Sequence, residues 1–242
     1  MRVSRLFVPT PLNVGNQISL ADDAAHYVRS VLRLKTDQTL IVFNGQGGEY
    51  LGRFTEVSRK AVRVNLEAFI DRDVESPLQL HLGMGISRGD RMDWAIQKAV
   101  ELGVNSLSPL NTERCVIKFT DDKKQQRHQH WQHIIDHAAE QSGRTRPPQL
   151  LAIQDLDSWV TEQQGLKIFL DPYAKHSLHE LSPINQQLTL LSGPEGGFSD
   201  AERQTALAAG FIPVRMGARI LRTETAVLAA LSAVQCLWGD FR

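Results

Sequence analysis

The spacing of apolar and polar positions changes rhythm once along this chain, close to residue 72. Before that point RLFV, TLIVFNG, EYLGRFTEV and KAVRVNLEAF are short apolar or alternating runs set off by Gly-rich or Ser/Arg turns. Strands so closely spaced predict a small barrel or sandwich. FNGQGGEY, residues 43 to 50, reads as a wide hairpin turn within it. One helix interrupts these strands: in SLADDAAHYVRSVLR, Ala25, Val28, Val31 and Leu32 share a side, and Ser19 or Asp22 stands where a cap belongs.

DRDVESP, residues 71 to 77, is charged, ends in proline and reads as the linker. Short apolar strands then alternate with helical patterns, the signature of an α/β domain. LQLHLGMG, VNSLSPLNT, LKIFLDP, LTLLSG and IPVRMG are the strands. DRMDWAIQKAVELG places Met92, Ile96, Ala99 and Val100 at helical spacing and closes on Gly103. A long helix is expected from about Lys123 to Ser142, with Trp131, Ile134, Ile135 and Ala138 inward. SDAERQTALAAG opens with Ser199 and Glu202 at capping-box spacing. The closing TETAVLAALSAVQCLWG has almost no polar face, so it should be covered on both sides, by the sheet and by a partner subunit.

Composition narrows the class. A chain of 242 residues, 42% hydrophobic and 22% charged, builds a core rather than a disordered tract. Two cysteines make no disulfide framework, and no apolar run is long enough for a membrane span or a signal core. A cytoplasmic protein with no membrane partner is expected. Lys plus Arg equals Asp plus Glu at 27 each, which argues against indiscriminate nucleic-acid binding.

Two glycine-bearing loops carry the chemistry. LLSGPEGGFSDAE runs from a strand through Gly193, Pro194, Gly196 and Gly197 into a capped helix. Glycines admit a ligand against the backbone where side chains would collide, and loops at the carboxyl ends of parallel strands are where such sheets bind ligands. A tight connection with no ligand is the plainer alternative. Glu195, at the loop's centre, is placed to hold either a ligand or a structural amide. MGARILRTETA follows the next strand, with Arg219 and Arg222 bracketing Ile220 and Leu221, and with Thr223 or Thr225 able to cap the last helix. Gly83, Gly85 and Gly89 make G-x-G-x-x-x-G, which is not the dinucleotide fingerprint, so a nucleotide-binding oxidoreductase is disfavoured. That stretch reads as a loop beside a substrate channel, with Arg88 and Arg91 available for phosphates, or as a structural turn. His133 and His137 are at i,i+4, but Ile134 stands where a zinc-protease motif has glutamate, so no metal is expected.

Taken together, ILRTETA, GPEGGF, SRGDRMDWAIQKAVELGV and EQSGRTRPP, with the opening RLF and HYVRSVLR, resemble the bacterial 16S ribosomal RNA uridine-N3 methyltransferases of the trefoil-knotted SPOUT superfamily. The resemblance implies a PUA-like RNA-binding β-barrel over residues 1–72 and a knotted α/β methyltransferase domain over residues 73–242. It also implies a homodimer through the C-terminal domain. The donor would be S-adenosylmethionine, leaving as S-adenosylhomocysteine, and the substrate a specific uridine of 16S rRNA in the small ribosomal subunit.

The donor would lie against Leu170, Asp171 and Pro172, against Leu191, Ser192, Gly193, Pro194, Glu195, Gly196 and Gly197, and against Met216, Gly217, Ile220 and Leu221. Arg2, Arg5, Arg29 and Arg33 become candidates for gripping RNA, as do Arg91, Arg144 and Arg146; for each, a solvated surface charge is the alternative. Uracil N3 carries a proton, so the site must stabilise an imide anion, and an arginine suits that work because it stays charged. Arg222 is expected to do it, with Arg88 second. Glu195 or Glu224 would take the proton. Rival readings are a methyltransferase acting on another RNA nucleotide and a non-catalytic RNA-binding or ribosome-assembly factor.

Overall fold

A computed structural model describes residues 3–115, 119–183 and 185–241 and divides the chain into two compact units. The first takes residues 1–75 together with 139–147, and the second takes 76–138 and 148–242. The short return segment, which includes the SGRTRP stretch, lies 64 residues beyond the first unit's main span (139 − 75 = 64), so a division made at one point along the sequence does not include it.

The first unit is a five-stranded sheet of order β1-β3-β4-β5-β2. Its strands are β1 (Arg5–Phe7), β2 (Gln17–Ser19), β3 (Thr39–Phe43), β4 (Glu49–Val57) and β5 (Val62–Ile70). The β3–β4 and β4–β5 pairs are antiparallel hairpins, and β1 joins β3 in parallel. Residues 44–48 turn the first hairpin, as the glycine pattern predicts. Helix α1 (Asp22–His26) continues into a π turn (Tyr27–Val31) and lays Ala25 and Val28 on Leu6, Leu40, Val42, Phe54, Val64 and Leu66. Its N-cap is Ala21 without a side-chain bond, so neither Ser19 nor Asp22 caps it. β1 and β2 end the strand order, and the strands share one apolar core with α1.

The second unit is a parallel sheet of order β12-β10-β11-β6-β7-β8, with β9 also pairing β7. Its strands are β6 (Gln79–Gly85), β7 (Ser106–Asn111), β8 (Gln149–Leu150), β9 (Gln154–Asp155), β10 (Leu166–Leu170), β11 (Gln187–Ser192) and β12 (Ile212–Val214). The helices are α2 (Asp90–Glu101), α3 (Asp121–Ser142, of which residues 139–142 count with the first unit), α4 (Leu156–Trp159), α5 (Asp200–Ala208) and α6 (Thr223–Trp238). α2 buries Met92, Ile96, Ala99 and Val100, the stripe its spacing predicts, and Ala95 as well, and Gly103 follows with φ 82°. α6 buries Val227, Ala230, Leu231, Val234 and Gln235, but Cys236 and Leu237 stay exposed, so this chain covers only one face of it. Gln235 is fully buried; its amide donates to the Leu102 carbonyl at 2.9 Å and accepts from Ser76 Oγ at 2.8 Å.

The observed fold class is a parallel α/β domain together with a five-stranded β unit, where the resemblance implied a trefoil-knotted SPOUT domain. A knot is a threading of the chain, and neither hydrophobic periodicity nor neighbour relations in a sheet encode threading.

Candidate functional site

β12, β10 and β11 lie side by side and parallel, so the three loops leaving their carboxyl ends share one edge of the sheet. They enclose a cavity of about 370 Å³, within the ordinary range for small-molecule sites. Leu170, Asp171 and Pro172 line it from the first loop, Ser192 to Gly197 from the second, and Met216, Gly217, Ile220 and Leu221 from the third. Thirteen of the fourteen residues named from the sequence for the donor therefore meet here. Leu191 does not: its side chain is fully buried with Trp159, Phe169 and Phe211 on the other side of its strand. Successive strand residues face opposite ways, so Ser192 and Leu191 cannot both face the cavity.

The glycine loop is held from several directions. Ser199 caps α5, and Glu202 returns the bond to the Ser199 N–H at 2.8 Å, completing the capping box. The other oxygen of Glu202 accepts from the Glu113 N–H at 2.7 Å, so one carboxylate ties the turn after β7 to α5. Gly85 faces Pro194 so closely that a Cβ there would lie 2.5 Å from Pro194 Cδ. Gly83 makes the same allowance for Trp159, at 2.4 Å. These two glycines of the G-x-G-x-x-x-G stretch thus serve packing. Gly197 and Gly217, at φ 65° and 83°, have nothing within 4 Å where a Cβ would project. Both line the cavity and leave its wall open to a ligand.

Charge in the cavity is arranged unevenly. Asp171 is buried; its Oδ2 accepts from Arg203 Nη2 at 2.5 Å and its Oδ1 from the Tyr173 N–H at 3.0 Å. Hydrogen bonding to Asp171 raises the Arg203 guanidinium above its ordinary value, against the opposing pull of burial. Glu195 accepts from the Arg88 N–H at 3.0 Å and from Arg91 Nη1 at 3.2 Å. Partial burial opposes its charge, but the backbone N–H groups of Glu195 and Arg88 and the Arg91 guanidinium outweigh it, holding the carboxyl below the usual range. A carboxylate so held is a poor proton acceptor near neutrality, and the structure gives Glu195 the work of tying the glycine loop to the start of α2.

The other residues expected to be catalytic fall outside the lining. Arg222 is exposed and forms the N-cap of α6 through its backbone, so neither Thr223 nor Thr225 is the cap. Arg88 is exposed and engages through its backbone N–H. Glu224 Oε2 is inaccessible and has no hydrogen-bond partner among the described residues. In their place the structure brings Arg114, Arg203 and Arg219 to the cavity, with Tyr173 and Phe198. Arg114 belongs to the turn after β7, about 80 residues from the glycine loop, and sequence adjacency carries no signal for it.

The arginines named for RNA separate by burial. Arg2 lies outside the described residues. Arg5 pairs with Glu49, which Arg72 also meets at 3.2 Å, and Arg5 Nη2 donates to the Arg144 carbonyl at 3.0 Å. Arg144 bonds Glu75 through Nη2 at 2.6 Å and Nε at 2.9 Å, with 6% of its side chain exposed. Arg5 and Arg144 are therefore corrected from RNA contacts to buried structural cations, because acidic partners meet both inside the unit. Arg91 is committed to Glu195, and Arg146 pairs with Asp73 at 3.0 Å on the surface. Arg33 is exposed, and Arg29 donates to the Ser58 carbonyl at 3.1 Å. Among the described residues no cluster of His, Cys, Asp and Glu is arranged to hold a metal, and no helix is long and apolar enough to cross a membrane.

With this geometry in place, likeness to known proteins adds chemistry. Residues 74–235 match the family described as RNA methyltransferase domain, and residues 20–67 match the RNA methyltransferase PUA domain. The chain is 35% identical to the ribosomal RNA small subunit methyltransferase E of Buchnera aphidicola, covering 99% of this chain and 98% of that one. A structure of a putative methyltransferase from Legionella pneumophila in complex with the cofactor SAM superposes over 100% of both chains, with TM-score 0.96 and 37% identity. A ribosomal RNA small subunit methyltransferase E from Neisseria gonorrhoeae bound to S-adenosyl methionine does so with TM-score 0.93 and 35% identity. The matched descriptions are of an RNA methyltransferase domain with its PUA domain and not of a knotted SPOUT domain, which corrects the superfamily expected from the resemblance.

Proposed function

We propose, from the premise that this chain belongs to the ribosomal RNA small subunit methyltransferase E family, that its cavity is the site of methyl transfer to N3 of a uridine. The chain is an S-adenosylmethionine-dependent methyltransferase of small-subunit 16S rRNA. The observation that carries the site is the cavity at the carboxyl ends of β12, β10 and β11, walled by glycine and backbone.

Its residues fit the donor. Leu170, Met216, Ile220 and Leu221 offer apolar contact for an adenosyl group, and open space at Gly197 and Gly217 lets backbone groups approach it. When bound, the donor supplies a methyl group on a sulfonium, which departs as a neutral thioether and needs orientation more than leaving-group assistance. Asp171 and Arg203 hold the first loop in place, Glu195 and Glu202 hold the second, and the cavity mouth remains open for the acceptor. The site's own groups include no metal ligand set among the described residues, and none is needed for this displacement.

Further features belong to the same reading. The β unit grips RNA, with Arg33 and Arg29 as its available cations. The half-covered α6 supports a homodimer through the second unit, since its apolar Leu237 is 39% exposed. The enzyme works in the cytoplasm, on the target base exposed from its stack.

Small ribosomal subunits from cells lacking this protein, incubated with it and labelled donor, should yield label in N3-methyluridine. Label in another nucleoside would move the acceptor. No label, with adenosylhomocysteine still bound, would remove the assignment of substrate.

A further inference from the structure

Stabilising a uracil imide needs a cation that stays charged, faces the reacting base and does not have to move as charge develops. Arg222 and Arg88 do not line the cavity, and Arg203 is committed to Asp171. Arg114 and Arg219 remain. Among the described residues neither has a carboxylate within ion-pair reach.

Only Arg114 is held in place. Its Nη1 donates to the Gly196 carbonyl at 3.0 Å, and the residues on either side of it are tied down as well. The Glu113 N–H is fixed by Glu202 at 2.7 Å, and Cys115 Sγ donates to the Ile86 carbonyl at 3.3 Å. Gly196 makes the approach possible, because a Cβ there would stand 3.0 Å from Arg114 Cβ. One N–H of the fork is spent on the loop, and the other donors of the exposed guanidinium remain for a ligand. The donor's sulfonium gains nothing from an uncompensated cation, whereas an acceptor turning anionic does.

We propose that Arg114 is the catalytic cation that touches the acceptor uracil and stabilises the charge gathering on its O2 or O4. In the step, uracil N3 attacks the methyl carbon, the N3–C bond forms, and the C–S bond breaks with its electron pair staying on sulfur. The N3 proton passes to solvent water at the open mouth. Arg114 lowers the cost of the anion along that path. This rests on the reading of the cavity as the methyl-transfer site.

The test compares wild type, Arg114→Ala and Arg114→Lys in three measurements: single-turnover methylation of small subunits across pH, calorimetric binding of adenosylhomocysteine, and RNA binding across salt. Arg114→Ala should lose about a hundredfold or more in rate at saturating RNA, the scale of one lost oxyanion donor. Adenosylhomocysteine affinity should stay within about threefold. The rising limb of the pH–rate profile should move up by about one unit or more, because the bound N3–H loses a neighbouring positive charge. Arg114→Lys, which keeps the charge, should recover part of the rate and of the profile.

An unshifted profile with an unchanged rate overturns the inference. So does a loss confined to RNA affinity with a salt slope reduced by about one, which marks a phosphate contact. Loss of adenosylhomocysteine binding in the alanine and lysine variants alike would make Arg114 a prop for the Gly196 loop. Failure of wild type to form N3-methyluridine would strike the reading of the site itself, a separate result.

Discussion

Replacing Asp171 by asparagine tests whether the cavity's first loop is held by charge. Asp171 is 1% exposed by its side chain and Arg203 is 33% exposed, so the pair is half inside and half screened. A charge-assisted hydrogen bond contributes about 1.5–3 kcal/mol, and the upper end of that range is reserved for pairs more enclosed than this one. Asparagine keeps an acceptor for the Tyr173 N–H and removes the carboxylate from Arg203. If ordering of residues 171–173 is required for the donor, a loss of about 1.5–2.5 kcal/mol weakens binding roughly tenfold to sixtyfold, at about 1.4 kcal/mol per decade. Asp171→Ala should cost more, since it also leaves the Tyr173 N–H without its partner. Calorimetry with adenosylhomocysteine reads the affinity, and thermal unfolding confirms that each variant is folded. Folded variants that both bind within about threefold of wild type would refute the reasoning.

Other perturbations have definite outcomes. His81 is pushed down to about 4 by burial beside Trp159, with Ser108 Oγ at 2.9 Å. It folds neutral while the unfolded chain takes up a proton near 6.5, so its share of stability is present above pH 6.5 and is lost as pH falls toward 4. That share is about 3 kcal/mol, and His81→Asn should flatten this segment of the curve of unfolding free energy against pH. Glu75→Ala removes the acceptor for two Arg144 donors and for the Thr145 and Arg146 N–H groups. It should cost about 3–5 kcal/mol of stability in denaturant unfolding, and a cost under about 1 kcal/mol would show the pair to be dispensable. Gly85→Ala places a methyl 2.5 Å from Pro194 Cδ. It should displace the glycine loop and weaken adenosylhomocysteine binding by about fivefold or more by calorimetry, the scale of overpacking that costs about 1–3 kcal/mol.

What the sequence by itself determined was whatever depends on near neighbours along the chain. The α2 stripe, the Ser199–Glu202 capping box, the hairpin turn at residues 44–48 and the two loops flanking Pro194 and Ile220 are local requirements of backbone and burial, and they were legible as such. α1 was legible as a helix but not in its cap or its π turn, because those depend on how Val28 seats among the strands. The tertiary structure alone decided which charges are free. Arg5 and Arg144 read in the sequence as surface cations, yet Glu49 and Glu75 meet them inside the fold. Arg222 lies next to the cavity-lining residues in sequence but outside the lining, whereas Arg114 arrives from a distant turn to touch the Gly196 carbonyl. A side chain's charge is written in one letter; its partner, burial and direction are set by segments that folding brings together across the sheet.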